Sequence, residues 1–309
     1  MGDIHLIKPN FLIIGAARSG TSSLYRYLGQ HPDIFMSQVK EPHFFCHEES
    51  RLNLEGPGDK KHAAIVSGAQ QYQSLFNNVS HFTAAGDASV WYLYFKSSAE
   101  RVRHYNPRMK LIAILRQPAD RAYSSFLYTL RDGREPLRDF SKALAAEPSR
   151  IRALWEPIWH YKNAGFYHDN LRHYLDIFGK SQVRVYLYDD LVSNPRGVLK
   201  DICRFLEVDE AAEMNLSEKY NESYISRSRA IQFLMTRPNP VKSAANFLLR
   251  GPWREKLKRS LRKRNEVKKP LDANLRRDLT QAYRKDILKL QDLLDRDLSL
   301  WLAATPLKV

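Results

Sequence analysis

Apolar and polar positions along the chain fall into short continuous apolar runs that alternate with stretches of helical spacing. Phe11-Leu-Ile-Ile14 is one such run. It meets a glycine-bracketed segment, Gly15-Ala-Ala-Arg18-Ser19-Gly20-Thr21-Ser22-Ser23, after which Leu24, Tyr27 and Leu28 recur at helical spacing. The pattern predicts strand, tight turn, helix. Ile34-Phe35-Met36 reads as a short buried strand. Lys110 to Leu115 is almost wholly apolar, as a parallel strand covered on both faces requires, and it runs through Arg116-Gln117-Pro118 into a helix from Ala119 to Arg131. Val183 to Leu187 is the third strong sheet candidate, and it ends at Tyr188-Asp189-Asp190-Leu191. Helices are expected over 70–76, 98–105, 139–146, 166–178, 195–206, 231–235 and 271–302, the fifth opened by Pro195. Gly86 to Phe95 is aromatic-rich and reads equally as a core strand or as the lining of a pocket; Trp155 and Trp159 extend the same choice. Pro42 is expected to hold Glu41 extended. The alternation predicts one α/β domain over residues 1–309, with a central, mainly parallel sheet flanked by helices. Its core would span about residues 10–210, with a basic and helical elaboration over about 220–309.

Composition narrows the function classes. The chain has 309 residues, 43% of them hydrophobic and 11% aromatic, which is ordinary for a water-soluble globular protein. No stretch approaches a membrane span, Met1 to Asn10 lacks the apolar centre of a signal peptide, and Leu6 stands where a myristoylation site needs Ser or Thr. Cys46 and Cys203 are the only cysteines and the histidines show no paired spacing, so a cytoplasmic protein without a disulfide framework or a metal is expected. The formal charge is +15, concentrated between Lys242 and Lys269, where only Glu255 and Glu266 are acidic. No nucleic-acid module accompanies that charge, so nucleic acid is not the expected partner. A non-catalytic protein that binds polyanions would explain the charge but not the first loop.

That loop carries the chemistry. Backbone N–H groups at a helix start, with the helix dipole behind them, favour an anion. Gly15 and Gly20 match the spacing of the triphosphate-binding loop, but Thr21 occupies the lysine position and Arg18 supplies the cation from inside the loop. A nucleotide kinase or triphosphatase is therefore disfavoured, whereas a phosphate-like anion fits. Arg116, at the carboxyl end of a buried strand, with Ser124 in the next helix, forms a second candidate anion site.

Taken together, the first loop, Lys40-Glu41-Pro42-His43-Phe44-Phe45, Arg116 to Ser124 and Tyr188 to Leu191 resemble the sulfotransferases, from about Asn10 to Trp301. The similarity is to soluble bacterial members, with a core like that of the carbohydrate sulfotransferases. The resemblance implies a P-loop-like three-layer fold and the donor 3′-phosphoadenosine 5′-phosphosulfate (PAPS), with no metal required. The products would be a sulfate ester and adenosine 3′,5′-bisphosphate (PAP). It places Arg18, Ser19, Gly20, Thr21, Ser22 and Ser23 at the 5′-phosphosulfate, Arg116 and Ser124 at the 3′-phosphate, and Tyr188 at adenine. Arg227 and Arg229 fall near a basic loop over the nucleotide. Glu41 corresponds to the base that activates the acceptor, an alcohol, phenol or sugar; desolvation by Phe44 and Phe45 is expected to raise its pKa. His43 is the second candidate base. Two departures stand out: Arg18 replaces a frequent lysine, and Ala88 replaces a lysine common in carbohydrate enzymes, which counts against a sugar-polymer acceptor.

Overall fold

The computed structural model describes residues 9–46, 55–59, 66, 68–77, 79, 81–217, 225–226, 266–267 and 270–303. Five parallel strands form the central sheet: β1 (Phe11–Gly15), β2 (Ile34–Met36), β3 (Ala84–Ala88), β4 (Lys110–Leu115) and β5 (Val183–Leu187), in the spatial order β2-β3-β1-β4-β5. The apolar runs have a simple cause. Side chains of a strand alternate between faces, so Leu12 and Ile14 of β1 join Leu111, Ala113 and Leu115 of β4 in one core. Phe11 and Ile13 join Ile112 and Ile114 in a second core on the opposite face. Each strand is sandwiched, which gives three layers.

Helices close both faces. The second core is covered by α1 (Thr21–Leu28), through Leu24, Tyr27 and Leu28, and by a C-terminal-half helix, Pro195–Leu206, through Val198, Leu199 and Ile202. The first core takes residues from α2 (Ala69–Ser74), α3 (Ser97–Tyr105), α4 (Pro118–Arg131), α5 (Phe140–Arg152) and α6 (His168–Phe178). Short α7 (Tyr188–Ser193) precedes Pro195–Leu206, which becomes α8, and the long α9 (Ala273–Leu294) packs onto the first core with Leu279, Tyr283, Ile287 and Leu290. Helix α4 starts where it does because Pro118 fills a first-turn position and the Gln117 side chain accepts from Asp120 N–H at 2.8 Å.

Several expectations are corrected. The strand near Gly86 is Ala84–Ala88, and the aromatic run lies in the turn after it. Helix α5 continues to Arg152 with Pro148 inside it, beyond the expected stop at Ala146. The final helix stops at Leu294, where Asp295 adopts a φ of 49°, and Ser299–Leu302 is a separate 3-10 turn. Few sheet signals mark the basic region, yet Ile225–Ser226 (β6) and Glu266–Val267 (β7) form a short antiparallel pair. The remainder of the Lys242 to Lys269 stretch lies outside the described residues, as does the helical run expected at Ile231 to Met235.

Among the described residues, no helix is long and apolar enough to cross a membrane.

Candidate active site

In an open parallel sheet the loops at the carboxyl ends of the strands meet where the chain reverses its direction of growth. Here that point is the end of β1, with β3 on one side and β4 on the other. All five strand ends contribute to one cleft of about 260 Å³: Ala17 to Ser22 after β1, Lys40 and Glu41 after β2, Val90 and Trp91 after β3, Arg116 after β4, and Tyr188 after β5. Helix α4 adds Ser124, Tyr128 and Arg131 to the wall, and Arg134, Glu156 and Ile158 complete it.

The first loop is built for close approach. Gly20 has a φ of 99°, and a Cβ there would meet the Tyr188 ring and Leu191 at 3.1 Å. No side chain caps α1; Ser23 and Leu24 N–H donate to Gly20 O at 3.0 and 3.1 Å, which leaves the N–H groups of Thr21 and Ser22 to a ligand. Alanine at Gly20 is expected to cost about 1–2 kcal/mol of stability from the left-handed backbone alone. It also displaces Tyr188, so both the melting temperature and the affinity for a nucleotide ligand should fall in parallel.

Cations gather around this loop. Arg18 Nε donates to Ser124 Oγ at 3.3 Å, and Arg116 Nη1 donates to the Arg18 carbonyl at 3.3 Å. The Tyr128 ring carries Arg18 at 4.7 Å and Arg131 at 4.8 Å from its centroid, while Arg116 lies 4.7 Å from the centroid of Tyr188. Burial, together with the neighbouring charges of Arg131 and Arg116, brings the Arg18 guanidinium down to about 10 against the opposing influence of Tyr128 and Asp132. Arg18 remains charged at neutral pH, so three guanidinium groups share a confined space. Such a concentration of like charge is a physical signature of a site whose ligand is anionic.

Glu41 faces the same cleft. Its φ is 61° and that of His43 is 51°, so the segment is left-handed on both sides of Pro42, and the extended geometry expected for Glu41 is not adopted. The cause lies in β3: Glu41 N–H donates to Ala88 O at 3.1 Å, and His43 N–H donates to Ser89 Oγ at 3.1 Å. These bonds hold the turn against the end of the neighbouring strand. Strain of this kind persists only where surrounding structure enforces it.

The expected rise in the Glu41 pKa is also reversed. Burial pushes the carboxyl up, but the Lys40 ammonium and the His43 ring outweigh it and bring the group to about 2. Glu41 is ion-paired with Lys40 through Oε1, and Oε2 lies 3.7 Å from His43 Nε2. His43 is buried and absent from the cleft lining, so the structure places it behind Glu41.

The other assignments separate clearly. Arg18, Gly20, Thr21, Ser22, Arg116, Ser124 and Tyr188 come together in the cleft, whereas Ser19 is fully buried and, like Ser23, does not line it. Arg227 and Arg229 lie outside the described residues. Of the aromatic candidates for a pocket, Trp91 lines the cleft, but Tyr92 and Trp159 are core residues. Tyr92 donates to Asp87 at 3.3 Å and Trp159 Nε1 donates to Asp59 at 2.9 Å.

Tyr128, Arg131, Arg134 and Glu156 were not anticipated from sequence. Ser124, Tyr128 and Arg131 stand at i, i+4 and i+7, so a polar stripe on the helix after Arg116 was an available signal. Arg134 is bound to Asp59 and donates to Glu156 at 2.8 Å, which ties residues 55–59 to the cleft wall.

Fold and cleft together define a P-loop-like α/β protein whose first loop, rich in cations, and a carboxylate line one cleft. Comparison with known proteins gives the family. The sulfotransferase domain family matches residues 8–290. A crystal structure of a sulfotransferase from Alicyclobacillus acidocaldarius is 33% identical, covers 96% of this chain and 100% of that one, and superimposes with a TM-score of 0.77. Human carbohydrate sulfotransferase 15 is 23% identical over 250 residues, covering 66% of this chain and 45% of that protein. The mouse bifunctional heparan sulfate N-deacetylase/N-sulfotransferase 4 is 28% identical over 296 residues, covering 93% of this chain and 30% of that protein. The chain belongs to the sulfotransferase family and is an enzyme of that class. It spans less than half the length of these two relatives.

Proposed function

We propose that the enzyme transfers a sulfuryl group from PAPS to the hydroxyl of a small or amphipathic acceptor, with Glu41 as the general base. The observation that carries this reading is the convergence of two anion-binding positions on one cleft that also holds a carboxylate. One position is the uncapped start of α1 with Arg18, whose guanidinium, rather than that of Arg116, is the one that donates to Ser124; the other is Arg116, which lines the same cleft beside Tyr188. A nucleotide phosphorylated at both its 3′ and 5′ ends fits that donor set, and Tyr188 supplies an aromatic face for its base. Such a ligand needs no lysine at Thr21, because it has no triphosphate chain.

The bound donor supplies an activated sulfuryl group. The N–H groups of the first turn of α1 and the Arg18 guanidinium stabilise the negative charge that develops on the departing 5′-phosphate. Glu41 takes the proton of the acceptor hydroxyl as the new S–O bond forms and the bond to the phosphate breaks. Arg18 acts as a fixed charge in this scheme, since a guanidinium is a poor proton donor. His43 positions Glu41 from behind. Val90, Trp91 and Ile158 give the acceptor side an apolar wall, consistent with a small or amphipathic alcohol or phenol.

Relatives named for carbohydrate and heparan sulfate sulfation favour a second reading, a sugar acceptor. Incubation with labelled PAPS and panels of alcohols, phenols and sugars decides between the two. The donor itself is tested by calorimetric titration with PAP in the presence of a chelator. Binding in about the micromolar range, near −8 kcal/mol, is expected without magnesium; absence of binding overturns the assignment.

A further inference from the structure

Glu41 enters the cleft with both carboxylate oxygens engaged. Oε1 holds the Lys40 ammonium and Oε2 faces His43 Nε2 at 3.7 Å. Lys40 is itself partly exposed and lines the cleft together with Arg18, Thr21 and Ser22. Its charge therefore shares one cleft with the carboxylate and the first loop. A lysine ammonium is a compact charge on a flexible stem, able to exchange partners by rotamer changes alone. The Glu41 backbone, by contrast, is fixed to β3 through its N–H bond to Ala88 O. The Glu41 main chain is thus anchored, whereas the Lys40 ammonium can turn on its stem.

We propose that Lys40 is a transferable clamp: it pairs with Glu41 in the donor-free enzyme and shifts to the sulfuryl oxygens when the donor is bound, unmasking Glu41 as the base. The inference rests on the reading of Glu41 as that base. A single movement of charge then does two things. It places a cation where the transferring group accumulates negative charge, and it removes the strongest attraction holding the carboxylate in its weakly basic state. General-base catalysis gains from both, because a carboxylate near 2 is far from the range in which proton abstraction is efficient. The other charged and titratable groups around Glu41 are His43 on its own segment, Tyr128 and Arg131 on α4, Arg18 in the first loop, Arg116 after β4, Tyr188 after β5, and Arg134 and Glu156 on the wall. Of the groups that lower the Glu41 carboxyl, Lys40 contributes most.

The test reads the Glu41 carboxyl directly, by 13C NMR of the full chain labelled at glutamate, with the Glu41 signal identified by its loss in Glu41→Gln. The pH midpoint is compared in the PAP complex and in the PAPS complex without acceptor, two ligands that differ only by the sulfuryl group. The PAPS complex is expected to titrate at least about one unit higher, a tenfold change in the acid constant. Charge repulsion from the sulfuryl group contributes to any such rise, so Lys40→Met provides the control. In that variant the midpoint of the free protein is already raised, and the step from PAP to PAPS is smaller than in the wild type. No step in the wild type, or an equal step in both proteins, overturns the clamp. Undiminished transfer by Glu41→Gln overturns the base assignment, and the titration of the wild type stands apart from that result.

Discussion

Glu41→Gln is expected to slow single-turnover sulfuryl transfer by about 10²–10⁴-fold, the usual contribution of a positioned general base, while leaving PAP affinity unchanged. Glutamine keeps the volume and one carbonyl oxygen for Lys40, so the fold of the loop is preserved. Only the site for the acceptor proton is removed. The contrasting variant is His43→Ala, which withdraws support from behind Glu41 and should cost less. A larger loss in His43→Ala than in Glu41→Gln would exchange their roles. The low pKa of Glu41 carries its own signature. A carboxyl held below its ordinary 4.5 contributes stability that is present above that value and disappears as the pH falls toward 2. Wild type and Glu41→Gln should therefore differ in acid stability at pH 6 and converge near pH 2, in denaturant titrations followed at both values.

Arg18→Met should have an effect of similar size with a different profile. In the proposed mechanism the guanidinium meets charge that develops during transfer, and removing one such donor typically costs about 10²–10³-fold in turnover. Arg18→Lys should recover part of this loss, since it restores the charge but not the planar fork that reaches Ser124 and covers Tyr128. The donor-free protein should respond in the opposite direction. Arg18 is held down to about 10 by burial and by the nearby charges of Arg131 and Arg116, so its charged form is disfavoured in the fold. Neutralising it relieves that repulsion. Arg18→Met should then melt no lower than the wild type without ligand and gain less from added PAP. A variant that loses both turnover and ligand-free stability would point to a structural role for Arg18.

How far the sequence could be read depended on which interactions each element needed. β1 and β4 were legible because strands buried on both faces must be almost continuously apolar, β5 because Val183, Tyr186 and Leu187 still mark a strand around the exposed Arg184, and α8 because Pro195 marks its first turn. β3 was not, because Ala84-Ala85-Gly86-Asp87-Ala88 lacks the β-branched and aromatic residues that signal a strand. Its small side chains answer a packing demand: a Cβ on Gly86 would lie 2.3 Å from Phe11 O on β1. The anion loop was legible because its backbone geometry demands glycine at Gly20. The Tyr128 and Arg131 contribution was not, since it depends on how α4 lies across the cleft. For Glu41 the residue could be picked out, but its left-handed backbone and ion pair follow from β3, which lies over 40 residues downstream.

That dependence on β3 has a consequence for recombining this enzyme with its relatives. The segment that presents Glu41 follows β2, yet Ser37 N–H donates to Gly86 O at 2.9 Å, Glu41 N–H to Ala88 O and His43 N–H to Ser89 Oγ. A chimera with a crossover between residues 46 and 84 separates the loop from its mould. Such a hybrid would keep its sheet and its first loop and still misplace the carboxylate. Residues 37–43 and 86–89 form one inheritable unit, and exchanges of acceptor-facing loops should carry both halves together.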